Sequence, residues 1–596
     1  MSRRIHFFSR DFLKKKSAKK PLHVSSKSVF QGRIYAVQSL FMMVAFVLLG
    51  RSFHLHIMDG EFLRGEGERR AVRDVTLNAN RGMIVDRNGI PLAISTAVTT
   101  IYINPKQLIQ KPLNWPILAD SLGLSRASVE TLIKENKTRD FVYLKRRLPP
   151  EEAKKALSLN ILGVYSETEY RRYYPHGEIV SHITGFTDID DKGKEGIELA
   201  NNEALTGKSG LRRVVRDQAG HVVEDLGVLR LAEAGQNVEL SLDLRMQYFA
   251  YRALLKGVQT FNAASGMAVA LDVKTGEILV MVNQPSYNPN NLKSLDKENG
   301  RNRALTDVFE PGSTVKPFTV VAGLESGLFN PWTQIETTPG YYKVGRKMIR
   351  DHHNYGLIDV TGVITKSSNV GSSKIALSMP PQALVNVFDR VGLGKKLDIG
   401  FPGERKGALP HRNKWADIQV ATLSFGYGME VTALQLVQSY AVLASGGLKH
   451  PVSLIKRDAH AKNKLTSERV IEEDVAESVT RMLETVTGEE GTARAANLNG
   501  FRVAGKTGTV HKVQNGRYVK EYRSLFVGFA PVEKPEIAMV VIIDDPKGKK
   551  HFGGEVAAPV FADIMDHLLR IKNAAPDKTI QPIQALMMQP SQFAVR

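Results

Sequence analysis

The chain of 596 residues contains no cysteine. That absence excludes a disulfide framework, a thiolate nucleophile and a cysteine-ligated zinc site, and it suits an oxidising compartment without requiring one. No repeat of roughly 20 to 50 residues recurs, which argues against a solenoid. Low-complexity and collagen-like tracts are absent too, and apolar runs of membrane length are confined to one place, so a many-pass transporter is excluded. Acidic residues are in deficit, 61 against 81 basic ones, for a net charge of +20. Such an excess invites a nucleic-acid partner. Residues 1–33, however, hold ten Lys or Arg against Asp11 alone, a local +9, and the +11 left over the other 563 residues is too dilute to name one. What remains is 42% hydrophobic and 24% charged, ordinary for a globular chain long enough for several domains.

The apolar run is IYAVQSLFMMVAFVLLG, Ile34 to Gly50, between Arg33 and Arg51, with Gln38 and Ser39 its only strongly polar side chains. At about 1.5 Å per residue it reaches roughly 25 Å as a helix, and Phe53 and Leu55 extend it if Arg51 snorkels. One uncleaved anchor over residues 34–55 is expected. A cleaved signal peptide competes, but the preceding basic region is long for one and no A-x-A-like site follows. Residues 51–70 balance four Arg against four acids, so the basic tail, residues 1–33, should stay cytoplasmic and the bulk of the chain should lie outside. Topology accounts for the tail without a nucleic-acid or lipid partner.

Between residues 56 and 233, short strand-like runs alternate with turns and charged helical stretches such as PEEAKKALSL, 150–159, which predicts an irregular α+β module. Near Ala234 the texture changes, and Asp243 is placed to cap a helix with apolar residues three and four apart. GMAVALDV (266–273), a turn at Lys274-Thr275-Gly276-Glu277 and ILVMVN (278–283) predict a β-hairpin. Helical patterns fill the middle, including 317–327 and 432–447, and three strand-like runs follow at 501–510, 524–531 and 537–545, then a helix over 557–572. Strands at both ends with helices between predict an antiparallel sheet flanked by helices over residues 234–572. Residues 573–596, rich in Gln and Pro, are expected to be unstructured.

Three short patterns bear on chemistry: Ser-x-x-Lys, Ser-x-Asn and Lys-[Ser/Thr]-Gly, the active-serine set of penicillin-binding proteins and serine β-lactamases. Each is weak alone. The first begins at Ser17, Ser294, Ser313 and Ser453, the second at Ser158, Ser286 and Ser367, the third at Lys208, Lys274 and Lys506. Context selects among them. Ser17 lies on the cytoplasmic side of the expected anchor, Ser294 sits in a polar loop and Ser453 in a strand-like run. Ser313 follows Glu310-Pro311-Gly312 and opens an apolar helical segment, with Lys316 one turn on and on the same face. Taken alone, that tetrapeptide is better explained by a capping serine and a solvated lysine. Lys208 and Lys274 head simple turns, whereas Lys506-Thr507-Gly508-Thr509 interrupts a strand followed by two more. Ser367-Ser368-Asn369 connects two helical patterns and can reach across a cleft.

Taken jointly, VFEPGSTVKP, TKSSNVGSSKIA, LSFGYGMEVT and VAGKTGT resemble the transpeptidase domain of class B penicillin-binding proteins, in the family's order and separations. RGMIVDRNG (81–89), RRYYPHG (171–177) and GKEGIE (193–198) resemble its non-catalytic pedestal motifs. The resemblance is nearest to the division-specific septal D,D-transpeptidases of Gram-negative bacteria and spans about residues 60–570. It implies an α+β fold with a pedestal over 56–233 and a transpeptidase domain over 234–572, anchored in the inner membrane with the catalytic domain periplasmic. It implies a serine acyl-enzyme without metal or cofactor: Ser313 as nucleophile, Lys316 as base, Ser367 as proton relay, Asn369 orienting Lys316. Lys506 is implied as a further catalytic residue, its positive charge favouring the neutral Lys316 amine; with Thr509 it would recognise the terminal carboxylate, and Thr507, Gly508 and Thr509 would line the substrate strand. Peptidoglycan stem peptides and β-lactams are the implied ligands, and a division-specific glycosyltransferase and other divisome membrane proteins the implied partners. A D,D-carboxypeptidase or β-lactamase would use the same motifs with water as acceptor, and a non-catalytic β-lactam-binding scaffold is the alternative outside enzymes. Charged pedestal residues Arg81, Asp86, Arg171 and Glu198 are expected to be structural ion pairs.

Overall fold

The computed structural model describes residues 27–217, 222–457, 466–514 and 516–578. The expected basic tail up to residue 26, with Ser17, and the expected C-terminal tail from residue 579 lie outside the described residues. Two compact units emerge: Met1–Val75 with Arg212–Val228, and Thr76–Leu211 with Leu229–Arg596.

In the first unit, helix α1 (Lys27–Phe53) continues through a π-helical turn, His54–Met58, into a helix over Gly60–Ala71. Its window Gly32–Met58 has a mean hydropathy of 1.7, none of it is buried, and it is long and apolar enough to cross a membrane. Apolar residues lie on every side of it, so protein packing on one face would not satisfy it. Strands Val72–Leu77, Gly210–Arg216 and Val222–Arg230 form a three-stranded sheet in that order, in which Asp74 pairs with Arg213 at 2.7 Å.

The second unit begins with the pedestal. Strand β1 (Pro91–Ile103) pairs antiparallel with β2 (Val142–Leu148) and β3 (Val164–Tyr173). Ile101, Leu108, Trp115, Leu118 and Ile133 form a separate apolar cluster beside them. Glu198 is wholly buried; its two oxygens accept from Arg81 Nε at 2.8 Å and Arg172 Nε at 2.6 Å. The ion pair expected of Arg81 and Glu198 is therefore there, and the expectation is corrected at Arg171 and at Asp86, which makes no ion pair among the described residues. Arg171 is exposed, and Arg172 takes its place because side chains alternate along β3. Asp86 is a hydrogen-bond hub: its carboxylate accepts from the N–H groups of Asn88, Ile90 and Leu244.

Leu244 opens helix α2 (Leu244–Thr260), and Asp243 caps it as expected, accepting from Arg245 N and Met246 N. Strands β4 (Ser265–Asp272) and β5 (Ile278–Gln284) form the predicted hairpin, with Gly276 at φ +72° in its turn. Helices α3 (Lys316–Glu325), α4 (Asn369–Leu377) and α5 (Ala433–Ala444) follow, then β6 (Ala504–Gln514), β7 (Arg517–Ala530), β8 (Ile537–Asp544) and α6 (Gly553–Ile571). The sheet order is β5-β4-β8-β7-β6, antiparallel throughout. Strands β4, β5 and β8 are buried at every position, because α2 and α6 pack against the sheet and against each other, while α5 also packs on β4, β7 and β8. The main core includes Ile84, Leu92 and Tyr174 of the pedestal together with this sheet, so the change of texture near residue 234 is not a gap in packing.

Three boundaries differ from the sequence expectation. The arm of β6 and β7 is longer, reaching Gln514 and starting again at Arg517, with Gly516 at φ +74° in the turn; its polar residues hide the strand pattern. Helix α6 starts at Gly553, four residues early. A Cβ on Gly553 would lie 2.4 Å from Gly508 O, and one on Gly554 2.1 Å from Thr492 O, so two apparent helix breakers are there for close approach. Lastly, Asp577 accepts from the N–H groups of Arg502, Val532 and Glu533, so ordered chain runs past residue 573.

Glu198→Ala leaves two buried guanidinium groups without their carboxylate and is expected to cost about 3–5 kcal/mol. Denaturant unfolding of the detergent-solubilised chain measures it, and a loss below about 1 kcal/mol would show that this trio does not hold the pedestal.

Candidate active site

The site starts from a tight turn. Gly312 has φ +57° and donates its N–H to Gly426 O at 3.3 Å. Residues Gly312–Val315 form a single 3-10 turn that runs into α3, with Pro317 where a missing N–H costs nothing. Ser313 thus stands one turn before Lys316 and remains partly exposed. Its hydroxyl has no hydrogen-bond partner among the described residues. Tyr440 of α5, fully buried, donates to Thr314 O at 2.7 Å and pins the turn from below.

Lys316 is fully buried. Its Nζ meets Ser367 O at 2.5 Å, Asn369 Oδ1 at 2.8 Å and Ser367 Oγ at 3.2 Å. All three are neutral oxygens. Burial first, then the nearby positive charge of Lys506, hold the Lys316 amine well below the usual lysine range, against an opposing pull from Asp351. Ser367 has φ +59°, a left-handed conformation uncommon outside glycine. That turn directs its carbonyl and hydroxyl toward one nitrogen. Ser368 caps α4 by accepting from Gly371 N at 2.8 Å, and Asn369, the first residue of α4, donates Nδ2 to Arg350 O at 3.0 Å. Asp351 accepts from Ser368 Oγ, Asn369 N and Val370 N.

The third wall is β6, the last strand of the sheet, with one edge unpaired by any other strand among the described residues. Lys506 is fully buried, its Nζ 3.4 Å from Thr507 O, and burial lowers its pKa to about 7. A Cβ on Gly508 would lie 2.9 Å from Thr314 Cγ2 and 3.3 Å from Pro311 O, so the strand backbone touches the Ser313 turn. The threonine hydroxyls already have partners. Thr507 Oγ1 is 2.9 Å from Thr492 Oγ1, and Thr509 Oγ1 accepts from Gly553 N at 3.0 Å.

The other described copies of the motifs stay apart. Ser294 is exposed, Ser453 donates to Ile455 O at 2.6 Å, Lys274 lies in the β4-β5 turn paired with Glu536, and Lys208 pairs with Glu233 at 3.0 Å.

Sequence reasoning missed the supports. Segment Ser424–Gly428, within the quoted LSFGYGMEVT, holds the site from behind: Ser424 O accepts from Thr319 Oγ1 of α3 and Ser372 Oγ of α4, tying both helices to one carbonyl. Glu310 accepts from Gly428 N at 2.8 Å and from the Tyr518 hydroxyl of the β6-β7 arm. Its SFGYG pattern was the only available signal; nothing local marks Asp351, Tyr440 or Tyr518.

Residues 266–566 match the family profile described as Penicillin binding protein transpeptidase domain, and residues 76–240 that of the Penicillin-binding Protein dimerisation domain. The chain is 42% identical over 536 residues to the peptidoglycan D,D-transpeptidase FtsI of Escherichia coli, covering 89% of this chain and 90% of the relative. It is 40% identical over 546 residues to the probable peptidoglycan D,D-transpeptidase PbpC of Pseudomonas aeruginosa, covering 91% and 96%. A solved peptidoglycan synthetase from Bifidobacterium adolescentis superposes with a TM-score of 0.68 at 26% identity, over 85% of this chain and 98% of that one. The chain belongs to the penicillin-binding protein transpeptidase family.

Gly426 has φ +85°, and a Cβ there would lie 2.2 Å from Gly312 O. Gly426→Ala must therefore displace the Ser313 turn, and acylation by a fluorescent penicillin is expected to slow by about 10- to 100-fold while the variant stays folded by circular dichroism. An unchanged rate would show that the turn moves freely.

Proposed function

We propose that this chain is a peptidoglycan D,D-transpeptidase that crosslinks stem peptides through a Ser313 acyl-enzyme and is acylated by β-lactams. The observation that carries the reading is the buried Lys316 amine, one turn from Ser313, in contact with Ser367 and Asn369 and with no carboxylate touching it among the described residues.

A neutral amine keeps two N–H bonds and one lone pair. Ser367 O and Asn369 Oδ1 take the two donors, which leaves the lone pair for a hydroxyl proton. Ser313 Oγ then attacks the carbonyl of the penultimate D-Ala while its proton passes to Lys316, and the tetrahedral intermediate collapses with release of terminal D-Ala. Ser367 Oγ, 3.2 Å from Lys316 Nζ, is the route by which that proton reaches the leaving amine. An acceptor amine attacks the ester in the second half, with the proton transfers reversed. The N–H groups of Ser313 and Thr509 would form the oxyanion hole, where one donor is worth about 3–4 kcal/mol. The unpaired edge of β6 suits a substrate added as a further strand, Gly508 allowing its backbone close to Ser313. Lys506 in its charged form attracts the terminal carboxylate, and Thr507 and Thr509 bind beside it by rotating their hydroxyls.

The identity to FtsI supports action at the division septum, beside a glycosyltransferase and other divisome membrane proteins. The apolar helix with basic residues before it supports a single inner-membrane anchor, N-terminus cytoplasmic and catalytic domain periplasmic.

Mass mapping of the chain after labelled penicillin is expected to find the adduct on Ser313, retained for many minutes, and absent from Ser313→Ala. Label on another residue, or label surviving that substitution, refutes the nucleophile; rapid release as penicilloate indicates a hydrolase.

The pH dependence has a definite sign. Lys506, with its pKa lowered to about 7, is charged below that value and loses its hold on a carboxylate as pH rises through it. The apparent dissociation constant for an anionic penicillin should therefore rise above pH of about 7, and Lys506→Ala should flatten that dependence.

A further inference from the structure

The connection from Val360 to Asn369 carries two of the site's side chains, yet its position is set by a residue from another part of the chain. Strands Tyr341–Val344 and Lys347–Arg350 form a hairpin, and Asp351 follows it, with its own N–H on Gly340 O at 2.9 Å. One oxygen of Asp351 accepts from Ser368 Oγ at 2.5 Å; the other accepts from Asn369 N at 2.5 Å and Val370 N at 3.0 Å. Ser368 in turn satisfies Gly371 N. Three of the N–H groups that a helix start leaves open are thus closed by Asp351 and Ser368. Arg350 O takes Asn369 Nδ2, so the Asn369 amide can offer Lys316 only its oxygen.

We propose that Asp351 is a positioning residue of the transpeptidation site, holding the Ser367–Asn369 segment against Lys316 and imposing a negative charge on that lysine through it. The proposal rests on the roles of Ser313 and Lys316 given above. Ser367, in its left-handed conformation, has no side-chain capping bond of its own, and the tie next to it on the C-terminal side is the Asp351 cluster. The titratable groups around Lys316 are Lys506 from β6, and Asp351 and His352 from this turn. Burial and Lys506 lower its pKa, while Asp351 raises it; the His352 ring is itself lowered by burial, Lys316 and His353. Asp351 therefore opposes the free amine while fixing its geometry.

The two effects separate by substitution. Asp351→Asn keeps an oxygen for the two backbone donors and removes the charge; Asp351→Ala removes both. The measurement is the acylation rate constant of the full-length, detergent-solubilised chain with fluorescent penicillin, followed against pH. Loss of the negative charge favours the free amine of Lys316 at lower pH. The acid limb of the Asp351→Asn profile is thus expected to move to lower pH. In Asp351→Ala the plateau should fall by about 10- to 100-fold. An unmoved acid limb in Asp351→Asn, or an unchanged plateau in Asp351→Ala, overturns the proposal. Absence of any Ser313 adduct in the unsubstituted chain would instead defeat the reading it rests on. Should Asp351→Ala fail to fold, the Asp351→Asn limb still decides, since a merely structural role would not shift it.

Discussion

Taking an amine out of water with only neutral oxygens against it is the constraint on which this structure depends. An isolated ammonium in a dry interior costs several kcal/mol, and the Lys316 contacts offer no charge to offset that. A second buried lysine, Lys506, makes simultaneous charging of the pair more costly still. Each unit by which such a pKa falls represents about 1.4 kcal/mol between the protonated and free forms. Folding therefore has to hold a strained chemical preference in place, and the rest of the domain supplies the rigidity.

That rigidity comes from three distant segments converging on one turn. Tyr440 fixes the turn from the helical layer, Gly426 and Gly508 allow backbone to press on it from two sides, and Ser424 O joins the helices that carry Lys316 and Asn369. The fully buried strands β4, β8 and β5 form the platform. The last strand, β6, is left with one edge unpaired among the described strands beside the Ser313 turn, so the same sheet that gives stability also offers a place for an extended peptide.

Much of this was legible in the sequence where the signal is local. The β4-β5 hairpin followed from two apolar runs about a Gly-containing turn, and Asp243 from its place before an amphipathic helix. The choice of Ser313, Ser367 and Lys506 over seven other motif copies came from predicted context. Local signals failed where partners are remote. Nothing near Asp351 says that a helix start eighteen residues on will need its carboxylate, and Gly553-Gly554 reads as a break until the backbone of β6 is beside it. The β6-β7 arm is concealed by polar side chains, and Arg171 is named where Arg172 faces Glu198, because only the strand register decides which of the two turns inward.

Ser367 shows what such a site sacrifices. Its φ of +59° is one that glycine adopts freely and serine resists by about 1–3 kcal/mol. A backbone chosen for comfort would carry no side chain there. The chain keeps a side-chain oxygen at a torsion that glycine would suit better, and so gives up a measurable fraction of its folding free energy to hold that hydroxyl 3.2 Å from the Lys316 amine.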